Sequence, residues 1–254
     1  MKNDVDSTNH LGDLSYEDFR RLALDSSLSL HEKVGFPDYY RAHKGNEIFS
    51  DISMKLPALD RGSSTIVDIG CGCSDLPRLM ITRAIEAKQS LFLIDSAEML
   101  NLLPEIEPPV EKVVAKYPSC QDLLERLDGR ADAILIYSVI QYVFGEGNVF
   151  EFLDKTLNLL APNGRLLIGD IPNVSMRKRF FASESGVRHH QEFTKSNDTP
   201  EVRFNHIEPG KIDDAVVLAL VGRARAAGFH AYVIPQAGNL PMATRREDVL
   251  IVRP

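Results

Sequence analysis

Asp68, Gly70 and Gly72 have the spacing in this chain that points most directly to chemistry. An apolar run, Thr65 to Val67, leads into the aspartate, and a helical pattern opens near Asp75. The pattern is that of a strand, a tight turn and a helix N-terminus. Glycines in such a turn let a ligand lie close to the backbone, because no Cβ intervenes. A second carboxylate, Asp95, ends the next apolar run after Leu93 and Ile94. A carboxylate at the carboxyl edge of a strand can accept from both hydroxyls of a ribose. Together these residues describe a nucleoside pocket.

The spacing also bears on which nucleoside. A dinucleotide turn needs a third glycine, and in that frame the chain has Asp75. A carboxylate there would repel a pyrophosphate. S-adenosylmethionine carries no phosphate, and its ammonium suits Asp68, directly or through water. Cys71 lies between the two glycines as a small lining residue. Cys71 and Cys73 have no nearby histidine, which makes a poor zinc set, and no metal is expected. Ser96 and Met99 follow Asp95; Met99 suits the side of an adenosine or the core equally.

Transfer of a methyl group is an in-line displacement on an activated sulfonium. The protein must orient the nucleophile, exclude water and, for a hydroxyl, remove a proton. The crevice of an open α/β sheet lies at the carboxyl ends of its strands, so candidates come from there and from covering segments. Gln141 and Tyr142 follow the fourth strand, and Asp170 and Asn173 follow the fifth. His189, His190, Glu192 and His206 lie in a later insert, where a histidine is a natural general base. Tyr39, Tyr40 and Arg41 lie in the N-terminal segment. The expected catalytic set is His189, His190, Tyr40 and Asp170. Competing readings are a solvated histidine pair, a capping role for Asp170 and simple packing for the tyrosines. Arg177-Lys178-Arg179 reads as a grip for phosphate or carboxylate, or as a solvated face.

The elements that must position these residues follow from periodicity. Residues 1–12 are polar and read as frayed. Ser15 and Asp18 have the spacing of a helix N-cap and its N3 partner, and a second helix is expected over residues 44–55. Apolar strands then alternate with amphipathic helices. Strands are expected at 65–69, 91–95, 112–115, 133–137 and 165–170, and helices at 75–87, 97–103, 120–127 and 149–160. Such alternation predicts a parallel sheet covered by helices on both faces. Pro162-Asn163-Gly164 is expected to stop the last of these helices. Residues 171–209 lose the alternation and read as an active-site cover. A helix over 212–227 precedes strands at 231–235 and 249–252, close enough for an antiparallel hairpin.

The Asp68-x-Gly70-x-Gly72 turn, Asp95, the Pro162-Asn163-Gly164 turn and the terminal hairpin resemble a class I S-adenosylmethionine-dependent methyltransferase. The resemblance covers about Ser64 to Pro254. It implies a Rossmann-like α/β fold with a seven-stranded, mostly parallel sheet in the order 3-2-1-4-5-7-6 and an antiparallel strand seven. It implies cofactor contacts at Asp68, Gly70, Cys71, Gly72, Asp95 and Ser96. Tyr117 and Pro118 fall where the family meets adenine, and Ser138, Val139 and Gln141 where it meets the methionine portion. Ser74 replaces a third glycine that many members carry. Residues 1–62 would form an N-terminal helical lid and residues 63–254 the binding domain, with 171–209 over the acceptor. Residues 30–52 and the stretch from Gly169 to Asn173 resemble a bacterial subgroup that modifies sugars and surface polysaccharides.

Composition sets the outer limits. With 254 residues, 44% hydrophobic and 26% charged, the chain has the make-up of a soluble globular protein. A net charge of −7 argues against a general nucleic-acid binder. No window reaches the roughly 18 apolar residues of a membrane span, and the N-terminus lacks a secretory core. Three cysteines form no disulfide framework, so a cytoplasmic setting is expected. The acceptor is expected to be a small molecule, methylated on oxygen or nitrogen. Two other readings stay open. One is a nicotinamide-dependent oxidoreductase; the other is a non-catalytic nucleoside-binding module with this fold.

Overall fold

The computed structural model describes residues 14–105 and 108–254. The expectation of a frayed terminus at residues 1–12 lies outside the described residues. The N-terminal segment contributes α1 (Tyr16–Leu24), the single turns α2 (Leu30–Lys33) and α3 (Asp38–Arg41), and α4 (Gly45–Lys55). Ser15 and Asp18 cap α1 reciprocally, as their spacing predicts: the Ser15 side chain accepts from the Asp18 N–H and the Asp18 carboxylate from the Ser15 N–H.

Alternating strands and helices follow. They are β1 (Thr65–Ile69), α5 (Asp75–Ala87), β2 (Ser90–Asp95), α6 (Ala97–Leu100), β3 (Val110–Val114) and α7 (Gln121–Leu127). Next come β4 (Ala131–Tyr137), α8 (Ile140–Glu146), α9 (Val149–Leu159) and β5 (Leu160–Pro172). The chain ends with α10 (Val174–Phe181), α11 (Glu184–Thr194), α12 (Asp214–Ala226), β6 (His230–Pro235) and β7 (Arg246–Val252).

The sheet has seven strands in the order β3-β2-β1-β4-β5-β7-β6. Strands β1 to β5 pair in parallel, and β7 runs antiparallel to both β5 and β6. The central strands β1 and β4 are buried almost continuously, as a parallel sheet covered on both faces requires. Val67 and Ile69 pack with Leu153 and Leu220 on one face. Ile66 packs with Ile52, Leu56 and Met80 on the other. The sheet is therefore covered on both sides, with α4 and α5 on the second.

Two expectations are revised in detail. Pro162-Asn163-Gly164 lies within β5 rather than between elements, and the β4–β5 register shifts between Ala131 and Ala133. Asn163 takes a left-handed φ of 62° there. Residues 171–209, read as lacking periodicity, contain both α10 and α11. Asn173 caps the first of these and Ser183 the second. Among the described residues no helix is long and apolar enough to cross a membrane.

Candidate functional site

The turn after β1 depends on its glycines. Gly70 and Gly72 have φ of +72° and +65°. A Cβ on Gly70 would lie 2.6 Å from Val139 Cγ2, and one on Gly72 would lie 2.7 Å from Val34 Cγ1. The Gly72 N–H donates to Asp95 Oδ2 at 2.8 Å, and the Ser96 N–H to Asp95 Oδ1 at 2.7 Å. Asp95 thus fixes the turn while its remaining lone pairs stay available. Desolvation raises Asp95 to about 6, against the pull of those two N–H groups. Asp68 lies beneath the turn, 2% exposed. Burial, reinforced by the nearby Asp95 charge, pushes it up to about 8. Two carboxylates whose charge is disfavoured in this way form a site that gains from a cation and from hydroxyl donors.

A cavity of about 420 Å³ opens over this turn. Its wall runs from Asp95 past Lys116, Tyr117 and Pro118 on one side to Tyr137, Ser138 and Val139 on the other. Tyr117 is set edge-on to Phe152, with ring centroids 5.0 Å apart, and its hydroxyl lies 3.1 Å from that of Thr156. Cys71 also lines the cavity, and burial keeps its thiol protonated by raising it well above the ordinary range.

The N-terminal helices form the opposite wall, with Tyr16, Phe19, Val34, Phe36 and Arg41 all reaching the cavity. Several contacts tie them down. The Tyr16 N–H donates to Glu146 Oε1 at 2.9 Å, and Phe19 packs edge-on to Tyr142 at 4.8 Å. Arg20 pairs with Glu98 at 2.7 Å. His31 Nε2 lies 3.5 Å from Asp75 Oδ2.

A buried polar network closes the β4–β5–β7 end. Ser138 and Asp170, at the ends of β4 and β5, both adopt φ of +59°. Non-glycine residues in that region are strained, and such strain concentrates at functional sites. Ser138 donates to Asp170, and Arg41 Nη2 donates to both, reaching Ser138 Oγ at 2.6 Å. Arg246 Nη1 donates to Asp170 Oδ2 at 2.7 Å, and Gln236 Nε2 to Oδ1 at 3.3 Å. The Asp170 N–H donates to Asp248, which pairs with Lys55 at 2.7 Å. The Arg41 guanidinium lies 3.6 Å from the centroid of the Phe36 ring. Burial lowers Arg41 from the ordinary guanidinium range, with the Asp170 charge opposing.

The fold has counterparts in known proteins. No protein-family model matches the chain. Among curated proteins, chondramide synthase cmdD of Chondromyces crocatus is 25% identical over 125 residues, covering 49% of this chain and 3% of that protein. The likeness to solved structures extends over nearly the whole chain. The plantazolicin methyltransferase BamL, solved with a triazolic desmethylPZN analog and SAH, superposes with a TM-score of 0.56 at 15% identity. The match covers 96% of this chain and 98% of that one. BpumL, solved with a pentazolic analog and SAH, gives 0.54 at 14% identity over 98% of each chain. An O-methyltransferase family protein from Burkholderia thailandensis gives 0.54 at 16% identity, covering 94% of this chain and 62% of that one.

The chain has the class I methyltransferase fold. Within it, Gly70, Cys71, Gly72, Asp95, Tyr117, Pro118, Ser138 and Val139 come together on one cavity. Asp68 is buried and does not itself line the cavity. Ser96 is instead the N-cap of α6, accepting from the Met99 N–H at 3.2 Å. Gln141 turns its Nε2 back onto the Ser138 carbonyl at 2.8 Å and does not line the cavity.

The expected catalytic residues are dispersed across the methyltransferase fold. Asp170 belongs to the buried network, one side chain away from the cavity. His189 and His190 do not line the cavity; they pack on α11 against Phe180 and Phe181. Tyr40 also stands outside it, its ring 4.6 Å from that of Tyr39. No residue of 171–209 lines this cavity; several line a separate one of about 320 Å³. The basic trio makes internal ion pairs, Arg177 and Lys178 with Glu208 and Arg179 with Asp214. Phe36 and Arg246 carry no sequence signal that marks them for the site, whereas Arg41 is named there with Tyr39 and Tyr40. The only signal for Arg41 was its place beside two tyrosines in an aperiodic segment. Among the described residues no group of three or more His, Cys, Asp and Glu is arranged to hold a metal ion.

Proposed function

We propose that this protein binds S-adenosylmethionine in the cavity over the Gly70–Gly72 turn and transfers its methyl group to a small molecule. The Gly70–Gly72 turn held by Asp95, with the buried Asp68 just before it, carries the reading. The fold supports it, because BamL and BpumL, which share it, are solved with SAH. Asp95 would accept the ribose hydroxyls and Asp68 face the ammonium. Tyr117 and Pro118 would border adenine, with Ser138 and Val139 along the methionine portion. Residues 14–62 would act as a lid, held by the Glu146, Glu98 and Asp75 contacts.

Held there by Asp95, Tyr117, Pro118, Ser138 and Val139, the cofactor would supply an activated methyl group. The chain's own groups orient the acceptor and exclude water. At the Ser138 end, burial keeps the Tyr137 and Tyr142 hydroxyls protonated. Asp170 is held by two arginines and a serine. That arrangement suits an acceptor whose lone pair is already competent, rather than a hydroxyl needing a dedicated base. The desmethylPZN analogs bound to the two neighbours favour a natural-product acceptor over a polysaccharide precursor.

The test is incubation with methyl-labelled S-adenosylmethionine and a panel of small natural-product amines and acids. Label should appear in a small molecule. Tight cofactor binding with no transfer to any of them would favour a non-catalytic module.

A further inference from the structure

The sheet order arranges this site along one edge. Asp95 ends β2, the glycine turn follows β1, Ser138 follows β4, Asp170 lies near the end of β5 and Arg246 opens β7. If Asp95 and the turn hold the nucleoside and amino-acid parts, the acceptor falls toward β4, β5 and β7. Arginines gather at that end. Arg41 and Arg246 converge on the single carboxylate of Asp170, while Asp248 is engaged by Lys55. Arg245 adds a third guanidinium, 5.5 Å from the centroid of the Phe181 ring, with no carboxylate partner among the described residues.

Arg41 is the member of this cluster that reaches the cavity. Its side chain is 10% exposed, and only Nη2 is engaged, with Ser138 and Asp170. Nε and Nη1 have no hydrogen-bond partner among the described residues, although an arginine has five N–H donors in a planar fork. Phe36 lies against one face of the guanidinium, and Asp170 fixes its orientation. A nine-tenths-buried guanidinium with Nε and Nη1 donors left open on a cavity is matched by a carboxylate, whose oxygens accept charge-assisted N–H bonds.

We propose that Arg41 binds a carboxylate of the acceptor, so that the small molecules methylated here are acids. This rests on the methyl-transfer reading above. The cofactor's own carboxylate is the competing source of the same chemistry. The effect of an Arg41 substitution on S-adenosylhomocysteine affinity separates the two sources.

The experiment is calorimetric titration of benzoate, benzamide and phenyl phosphate into protein saturated with S-adenosylhomocysteine. Benzoate should bind about ten-fold or more tightly than benzamide. Arg41→Lys keeps the charge facing Asp170 but loses the Nε and Nη1 donors, and should remove most of that preference with S-adenosylhomocysteine affinity unchanged. Unchanged cofactor affinity also shows that the variant is folded. Four results overturn the proposal: equal binding of benzamide, no binding of any probe, preference for phenyl phosphate, or loss of cofactor affinity in Arg41→Lys. Failure of the wild-type protein to bind S-adenosylhomocysteine would instead remove the methyl-transfer reading itself.

Discussion

Val34 packs onto Gly72 so closely that a Cβ on the glycine would lie 2.7 Å from Val34 Cγ1. The N-terminal segment and the glycine turn are therefore built as one surface. Gly72→Ala must push Val34 away and also strain a backbone at φ +65°. We expect cofactor affinity to fall about ten-fold or more, which is the effect of roughly 1.4 kcal/mol. Limited proteolysis should cut the segment before β1 faster than in the wild type. Equal cleavage and equal affinity would show that the segment is not seated on the turn.

Asp68 should make stability depend on pH. Its folded value of about 8 lies above the unfolded value near 4, so the folded state retains a proton that the unfolded chain releases. The stability this provides is complete below about pH 4 and is lost as pH rises through about 8. A shift of this size corresponds to roughly 5 kcal/mol. The ligand-free protein should therefore melt at falling temperature between about pH 5 and pH 8, and Asp68→Asn should flatten that fall. S-adenosylhomocysteine binding should strengthen over the same range, because its ammonium favours the carboxylate. Thermal melts and titrations in two buffers of different ionisation enthalpy check both. Identical pH profiles for the wild type and Asp68→Asn would remove Asp68 from the site.

Asp170 is 2% exposed and is the shared counter-charge of Arg41 and Arg246. Asp170→Ala leaves the buried Arg41 and the half-buried Arg246 without it. Removing one partner of such a network costs about 3–5 kcal/mol. Urea denaturation should show a loss of that order. A loss below about 1 kcal/mol would mean that the network is hydrated and contributes as a surface pair does.

His189 and His190 pack against Phe180 and Phe181 on α11, away from the cavity. Replacing both with alanine should leave the methyl-transfer rate within about two-fold, since neither meets the reacting groups. A collapse of kcat at unchanged cofactor affinity would put the acceptor beneath α11.

Much of the fold was legible because its signals are local. Ser15 and Asp18 are three residues apart, and both capping bonds form. The glycine turn and Asp95 are tied by the topology of adjacent parallel strands β1 and β2. The Arg41 site was not legible, because Arg41 and Asp170 are separated by 129 residues and meet only through the fold. His189 and His190 looked like a base because histidine chemistry is visible in sequence while the direction of a helix face is not. Helices α10 and α11 could have been found from Asn173 and Ser183, both good N-cap types. Ser96 had the same ambiguity: its position after Asp95 fits a ligand contact and a helix cap equally, and the cap formed.

The central claim is that the cavity over Gly70 and Gly72 takes S-adenosylmethionine through Asp95 and Asp68. Its most direct test is calorimetric titration of S-adenosylhomocysteine into the wild-type protein and Asp95→Ala. We expect one site of micromolar affinity, weakened about ten-fold or more by the substitution as the ribose contacts are lost. No heat of binding at millimolar ligand, or equal affinity in the two proteins, would contradict it.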